Sequence, residues 1–160
     1  LAGRDIAGAS DAWTSEFDQL LDQVTLLPGA RELVESLHAR DQVVVLATSA
    51  PEDLLDRFRE VLDIEAWIAG VTSSDDADGS KPDPDIFEVA MERFGLAPAT
   101  TVAIGDSVWD AKAAGRAGIR FIGVETGGTT RDRLDDAGAV AGHADPAALA
   151  HEVRSLRTWW

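Results

Sequence analysis

A chain of 160 residues, 45% of them apolar, is the size of one domain and can bury a core. Its 29 acidic against 14 basic residues leave a net charge of −15, which opposes nucleic acid and anionic membranes as partners. The absence of cysteine removes disulfide frameworks, thiol catalysis and thiolate metal sites, and no stretch approaches a membrane span or a signal-peptide core, so a soluble, cytoplasmic monomer is expected. An acidic protein that handles a phosphate ester must neutralise it locally, with a metal, a lysine and backbone N–H groups.

The chain opens at Leu1, without a methionine and inside what reads as helical sequence, so a missing beginning is expected. Residues 11–24 place Trp13, Phe17, Leu20, Leu21 and Val24 at helical spacing, with Ser10 as N-cap. Pro28 and Gly29 punctuate the chain, and Ala30 to Arg40 puts Leu33, Val34 and Leu37 on one helical face. The run Val43 to Thr48 is continuous and β-branched, as in a parallel strand buried on both faces. Pro51 suits the first turn of a helix with apolar positions Leu54, Leu55, Phe58, Val61 and Leu62. A short strand is expected over Ile68 to Thr72, a polar, turn-rich loop after it, and a helix from Asp85 to Phe94 stopped by Gly95. Thr101 to Ile104 reads as the central strand. An alanine-rich helix to about Ala117 follows, then a strand over Arg120 to Glu125, a loop at Gly127 and Gly128, and a short helix over Thr130 to Ala137. Ala139 to Ala141 reads as a last strand and Pro146 to Arg157 as the closing helix. Strands alternate with helices almost throughout, the pattern of an α/β fold with a doubly wound, mostly parallel, Rossmann-like sheet. Trp159 and Trp160 suggest no function.

Polar groups of useful type stand at the expected strand ends. Thr48 and Ser49 follow one strand, Lys81 lies in the loop Ser-Lys-Pro-Asp-Pro, and Asp106 and Asp110 follow the central strand. In open α/β sheets, ligands bind outside the carboxyl ends of the strands. With a helix beginning near Val108, the loop carries Asp106 and the first turn carries Asp110, so both carboxylates can converge on one point. Their repulsion would be relieved by a divalent cation, best by magnesium, which prefers hard oxygen ligands and keeps several waters. The plainer alternative is that Asp110 caps its helix and Asp106 is a solvated loop residue, while Thr48 is a turn residue and Lys81 a solvated one. Taken together, a hydroxyl at a helix N-terminus, a lysine and two carboxylates make a site for a phosphoryl group and its metal. Thr48, Ser49 and the backbone N–H groups that follow would hold phosphate oxygens, and Lys81 would offset transition-state charge.

The chain resembles the haloacid dehalogenase-like (HAD) hydrolase superfamily, in the subgroup of phosphoglycolate phosphatase and β-phosphoglucomutase. Thr48 in VVVLATSA matches the family's second motif, Lys81 in SKPDPDIF the third and GDSVWD the fourth, and the likeness runs from about residue 28 to 150. The resemblance implies that Thr48 binds the transferring phosphoryl group, that Lys81 offsets its charge, and that Asp106 and Asp110 serve the magnesium site, Asp106 as the more direct ligand. It also implies a first motif, DxDGT, whose first aspartate is the nucleophile, on a strand lying between those that end at Thr48 and at Gly105. Nothing before Thr48 supplies it. Asp5 has no apolar strand before it and no second acid two residues on. Residues 1–27 then read as the last part of a helical cap and 28–160 as a core lacking its nucleophile strand, inactive and poorly stable alone.

The expected activity of the complete enzyme is magnesium-dependent hydrolysis of a small phosphorylated metabolite through an aspartyl-phosphate. A non-catalytic relative, acting as a binding or regulatory protein, would bind magnesium without turnover. A haloacid dehalogenase would ignore chelators, and a phosphomutase would keep its intermediate from water. Two imitations are set aside: Asp76 to Ser80 reads DADGS but runs straight into the lysine loop, and the same stretch imitates a calcium loop that Lys81, Pro82 and Pro84 interrupt. His38, His143 and His151 read as surface residues.

Overall fold

A computed structural model describes residues 23–50, 52–77 and 79–155, together with Glu16 and Leu20. The helix expected over 11–24, and with it most of the cap remnant over 1–27, lies outside the described residues, as do Trp159 and Trp160. Helices and strands alternate as expected: α1 Ala30–His38, β1 Val45–Ala47, α2 Glu52–Leu62, β2 Gly70–Thr72, α3 Asp85–Phe94, β3 Val102–Gly105, α4 Val108–Arg116, β4 Arg120–Val124, α5 Arg131–Asp136, β5 Ala141–His143 and α6 Pro146–Ser155. No helix among the described residues is long and apolar enough to cross a membrane.

All strand pairs are parallel, and they form two sheets, β1–β2 and β3–β4–β5. Side chains alternate across a strand, so β4 sends Ile122 and Val124 to one face and Phe121 to the other. On the first face they meet Leu33 and Leu37 of α1 and Leu149, Ala150 and Val153 of α6. On the second, Phe121 and Ala103 meet Met91 of α3, Ala111 and Ala114 of α4, and Leu134 of α5. The chain is thus covered on both faces, as a doubly wound sheet requires. Ile122, Leu149 and Val153 are fully buried, and such side chains contribute roughly 1.5–3 kcal/mol each. Gly29 makes the α1–α6 contact possible: its φ is 79°, and a Cβ there would stand 2.2 Å from Ala147 Cα.

Between β1 and β3 lies a cleft of about 890 Å³. Its walls include every residue of β1 and of β3 and none of β2, β4 or β5. Since β1 pairs with β2 on one side and β3 with β4 on one side, the edges of β1 and β3 that have no strand partner among the described residues face each other across it. The expectation that Val43 to Thr48 is buried on both faces needs correcting for this reason. Val43 is 57% exposed and β1 is only half-buried, because the cleft leaves one flank open. Ile104 of β3 is 37% exposed into the same cleft.

Candidate active site

The carboxyl ends of β1 and β3 and the lysine loop meet at one end of this cleft. Thr48, Lys81, Gly105 and Asp110 all line it. Thr48 follows β1 directly; its backbone N–H donates to Thr72 O at 2.9 Å, and its hydroxyl oxygen accepts from Ala50 N–H at 3.0 Å. The hydroxyl thus shapes the turn into α2, as the plainer alternative holds, while standing at the strand end where the phosphate-binding alternative needs it. Ser49 is exposed and does not line the cleft.

Lys81 is not a solvated lysine. Its side chain is 18% exposed, its Nζ lies 2.8 Å from Asp110 Oδ1, and the ammonium is 5.7 Å from the centre of the Phe87 ring. Asp110 is 13% exposed and doubly engaged. Ser107 is the N-cap of α4, its hydroxyl accepting from Asp110 N–H at 3.1 Å, while Asp110 Oδ2 accepts from the Ser107 hydroxyl at 2.6 Å and from Ser107 N–H at 3.2 Å. The capping residue is therefore Ser107, with Asp110 at the third helical position completing a capping box. The pattern Ser-x-x-Asp at 107–110 carried that signal.

Asp106, just past β3, lies against the loop after β4: a Cβ on Gly127 would come within 2.6 Å of Asp106 Cγ and Oδ2. The two acids have different neighbours: Asp106 lies beside Gly127, and Asp110 is bonded to Lys81 and Ser107. Magnesium is held by one or two carboxylates together with waters and substrate phosphate, and a pair of aspartates at the end of one strand fits that demand. Among the described residues there is no cluster of three histidine, aspartate or glutamate side chains that would form a full protein cage.

The loop carrying Lys81 is pinned by side chains that the residue pattern alone did not single out. Asp76 closes a capping box with Ser73 and pairs with Arg93, whose guanidinium also donates to Val71 O at 3.3 Å. The Arg93 guanidinium, and after it the Ser73 N–H, hold the Asp76 carboxyl below its usual value. Gly79 N–H donates to Asp85 Oδ2 at 2.8 Å. Arg116, at the far end of α4, donates to Pro82 O at 2.9 Å and to Asp83 Oδ1 at 3.1 Å. Asp76 and Asp85, members of the DADGS stretch and of the calcium-loop imitation, thus both have structural partners in this loop. His143 is not a surface residue: it ends β5 with a side chain 12% exposed, 3.6 Å from Glu152.

The profile of the haloacid dehalogenase-like hydrolases matches residues 5–118. The chain belongs to that family. This haloacid dehalogenase-like chain is 36% identical over 116 residues to a phosphorylated carbohydrates phosphatase of Thermotoga maritima, covering 71% of the chain and 53% of that protein. It is 31% identical over 110 residues to the phosphoglycolate phosphatase of Escherichia coli K12, covering 69% of the chain and 44% of the relative. It therefore spans about half the length of the curated relatives it matches. Among solved structures, a hydrolase from Pseudomonas syringae superposes with a TM-score of 0.84 at 27% identity, over 98% of this chain and 77% of that one. The Rossmann-like α/β core read from the alternating pattern is the fold these structures share.

Proposed function

We propose that this haloacid dehalogenase-like chain forms part of a magnesium-dependent phosphatase for small phosphorylated metabolites, and that the nucleophilic aspartate arrives on a further strand seated between β1 and β3. The observation that carries the reading is the cleft. Two parallel strand edges face each other across an apolar slot, with Thr48, Lys81 and Asp110 at its carboxyl end. Unpaired backbone N–H and C=O groups on buried edges are costly, and one more parallel strand would satisfy both. An acid closing that strand would stand among the groups that handle phosphate.

On this reading Thr48 and the N–H groups that open α2 hold the phosphoryl oxygens, and Lys81 turns from Asp110 to offset the charge that builds on them. The incoming aspartate oxygen attacks phosphorus as the P–O ester bond breaks, and the leaving oxygen takes a proton from the second acid of the incoming DxDGT segment, which regains one from the water of the next step. Water then attacks the aspartyl-phosphate, freeing inorganic phosphate and restoring the carboxylate. Asp106 and Asp110 would hold magnesium, which would supply positive charge to offset that of the phosphoryl group. The relatives named for phosphatase activity support the reaction class. The pairing of Lys81 with Asp110 supports the site, since each is the other's counter-charge until a phosphoryl group and a cation take their places.

The test begins with the coding sequence in frame upstream of Leu1. The extended protein is then assayed for phosphate release from a panel of phosphorylated sugars and small acids. Magnesium-dependent release that K81A and D106N abolish is the expected result. An extended protein with no apolar strand ending in DxDGT, or release indifferent to chelator, would overturn the proposal.

A further inference from the structure

Lys81 is carried by a segment, residues 79–84, with no helix or strand of its own, yet its ammonium is placed within hydrogen-bond distance of Asp110. Two anchors lie next to it, and both come from α4. Asp110, in the first turn, takes the ammonium itself. Arg116, at the last helical position, takes the neighbouring backbone, with one N–H of Nη1 on Pro82 O and the other on Asp83 Oδ1. Six helical steps separate these anchors, about 9 Å of rise, so α4 splints the loop along its length.

The anchors differ in one respect. In the proposed reaction the Lys81–Asp110 pair opens when the site is loaded, because Asp110 serves a cation and Lys81 a phosphoryl group. The Arg116 contacts involve neither reacting group and persist. We infer that Arg116 is the positioning residue for Lys81, holding the Pro82 carbonyl on α4 so that the lysine backbone stays in place when its side chain changes partner. A planar guanidinium suits the task because it presents two N–H groups at a fixed angle to a carbonyl and a carboxylate together, which a lysine ammonium does with less geometric constraint. The other pins, Arg93 on Asp76 and Asp85 on Gly79, hold the start of the loop and lie further from Lys81 in sequence. This inference rests on the proposed function for its purpose, but not for its test.

The chain contains two lysines, Lys81 and Lys112. Timed acetylation read by peptide mass spectrometry therefore reports the mobility of Lys81 with Lys112 as internal reference, and without any turnover. D110N removes the direct anchor and imitates the loaded state. Adding R116Q to D110N is expected to raise the Lys81-to-Lys112 rate ratio on the order of fivefold, the factor equivalent to one hydrogen bond of typical net strength. R116K in the same background should recover part of the protection. An unchanged ratio in the double variant, or both lysines accelerating equally as the fold loosens, would overturn the inference. In the protein carrying the complete site, R116Q is expected to lower kcat with KM little changed. If no variant or parent shows phosphatase activity while the acetylation ratio still moves, the functional reading fails and the positioning role stands.

Discussion

Replacing Gly127 with alanine should disturb Asp106 and almost nothing else. The Gly127 backbone lies outside the left-handed region, so alanine is conformationally acceptable there. The added Cβ, however, would stand 2.6 Å from Asp106 Cγ and Oδ2 and 3.1 Å from its Cβ. Contacting carbons settle at about 3.5–4.0 Å, so the carboxylate must retreat by roughly 1 Å. The cheapest retreat is rotation of the aspartate away from its rotamer well, at about 0.5–1.5 kcal/mol. Gly→Ala also removes freedom from the unfolded chain, a gain of about 0.4–1 kcal/mol. In the parent the two effects nearly cancel. In a D106A background the contacts with Cγ and Oδ2 are gone, and only the milder 3.1 Å approach to the Cβ of residue 106 opposes the gain. Urea melts of the four proteins G127A, D106A, the double variant and the parent should therefore give a coupling energy of about 1 kcal/mol. The same melts run with Mn²⁺ in place of magnesium should show that G127A weakens the metal-dependent rise in midpoint. In the protein with a complete site, a misplacement of about 1 Å should cost on the order of 100-fold in activity. Additivity within about 0.3 kcal/mol would mean that Asp106 does not lie against Gly127.

S107A removes the N-cap of α4 and one of the two anchors of the Asp110 carboxylate; a loss of about 1 kcal/mol is expected, read as a fall of about 2–4 °C in a thermal melt. L149A empties a fully buried position between α1 and β4 and should cost about 3–5 kcal/mol in denaturant unfolding, with an unchanged slope. The acid side of the stability profile depends on Asp76. Arg93 holds its folded pKa below the ordinary value of 3.8, so between those two values the unfolded chain binds more protons than the native one. The stabilisation is complete above the ordinary value and is lost as pH falls through the lowered one. R93Q should make the acid limb of a pH titration of stability shallower. A smaller slope of the same sign should remain from Glu65, whose carboxyl Arg59 lowers in the same way.

Elements whose ends are set by local chemistry were legible in the residues. Helix α3 begins at Asp85 and stops at Phe94 because Gly95 takes a left-handed conformation, with φ of 65°, that ends the helix wherever it is placed. The α4 start at Val108 follows from the Ser107 and Asp110 capping box, four residues that interact with one another whatever surrounds them. Strand β5 was less legible. Ala139 to Ala141 was the expected span and Ala141–His143 is the observed one, because a segment of alanine, valine and glycine carries little pattern and its register is set by pairing Ile122 with Ala141 and Val124 with His143. The burial of His143 follows from that register.

The residue pattern by itself determined the alternation of strands and helices and the ends of the capped helices, and it singled out the four polar groups Thr48, Lys81, Asp106 and Asp110, since periodicity, caps and breakers act over a few neighbours. Only the tertiary structure decided that Lys81 faces Asp110 rather than solvent, that Asp106 leans on Gly127, and that Arg116 holds the lysine loop from 34 residues away. It alone showed that the strands of the described residues fall into two sheets with a cleft between them. The physical reason is the same in each case: these contacts join residues that are distant along the chain, and their geometry exists only once the helices packed on both faces have fixed where the strands stand.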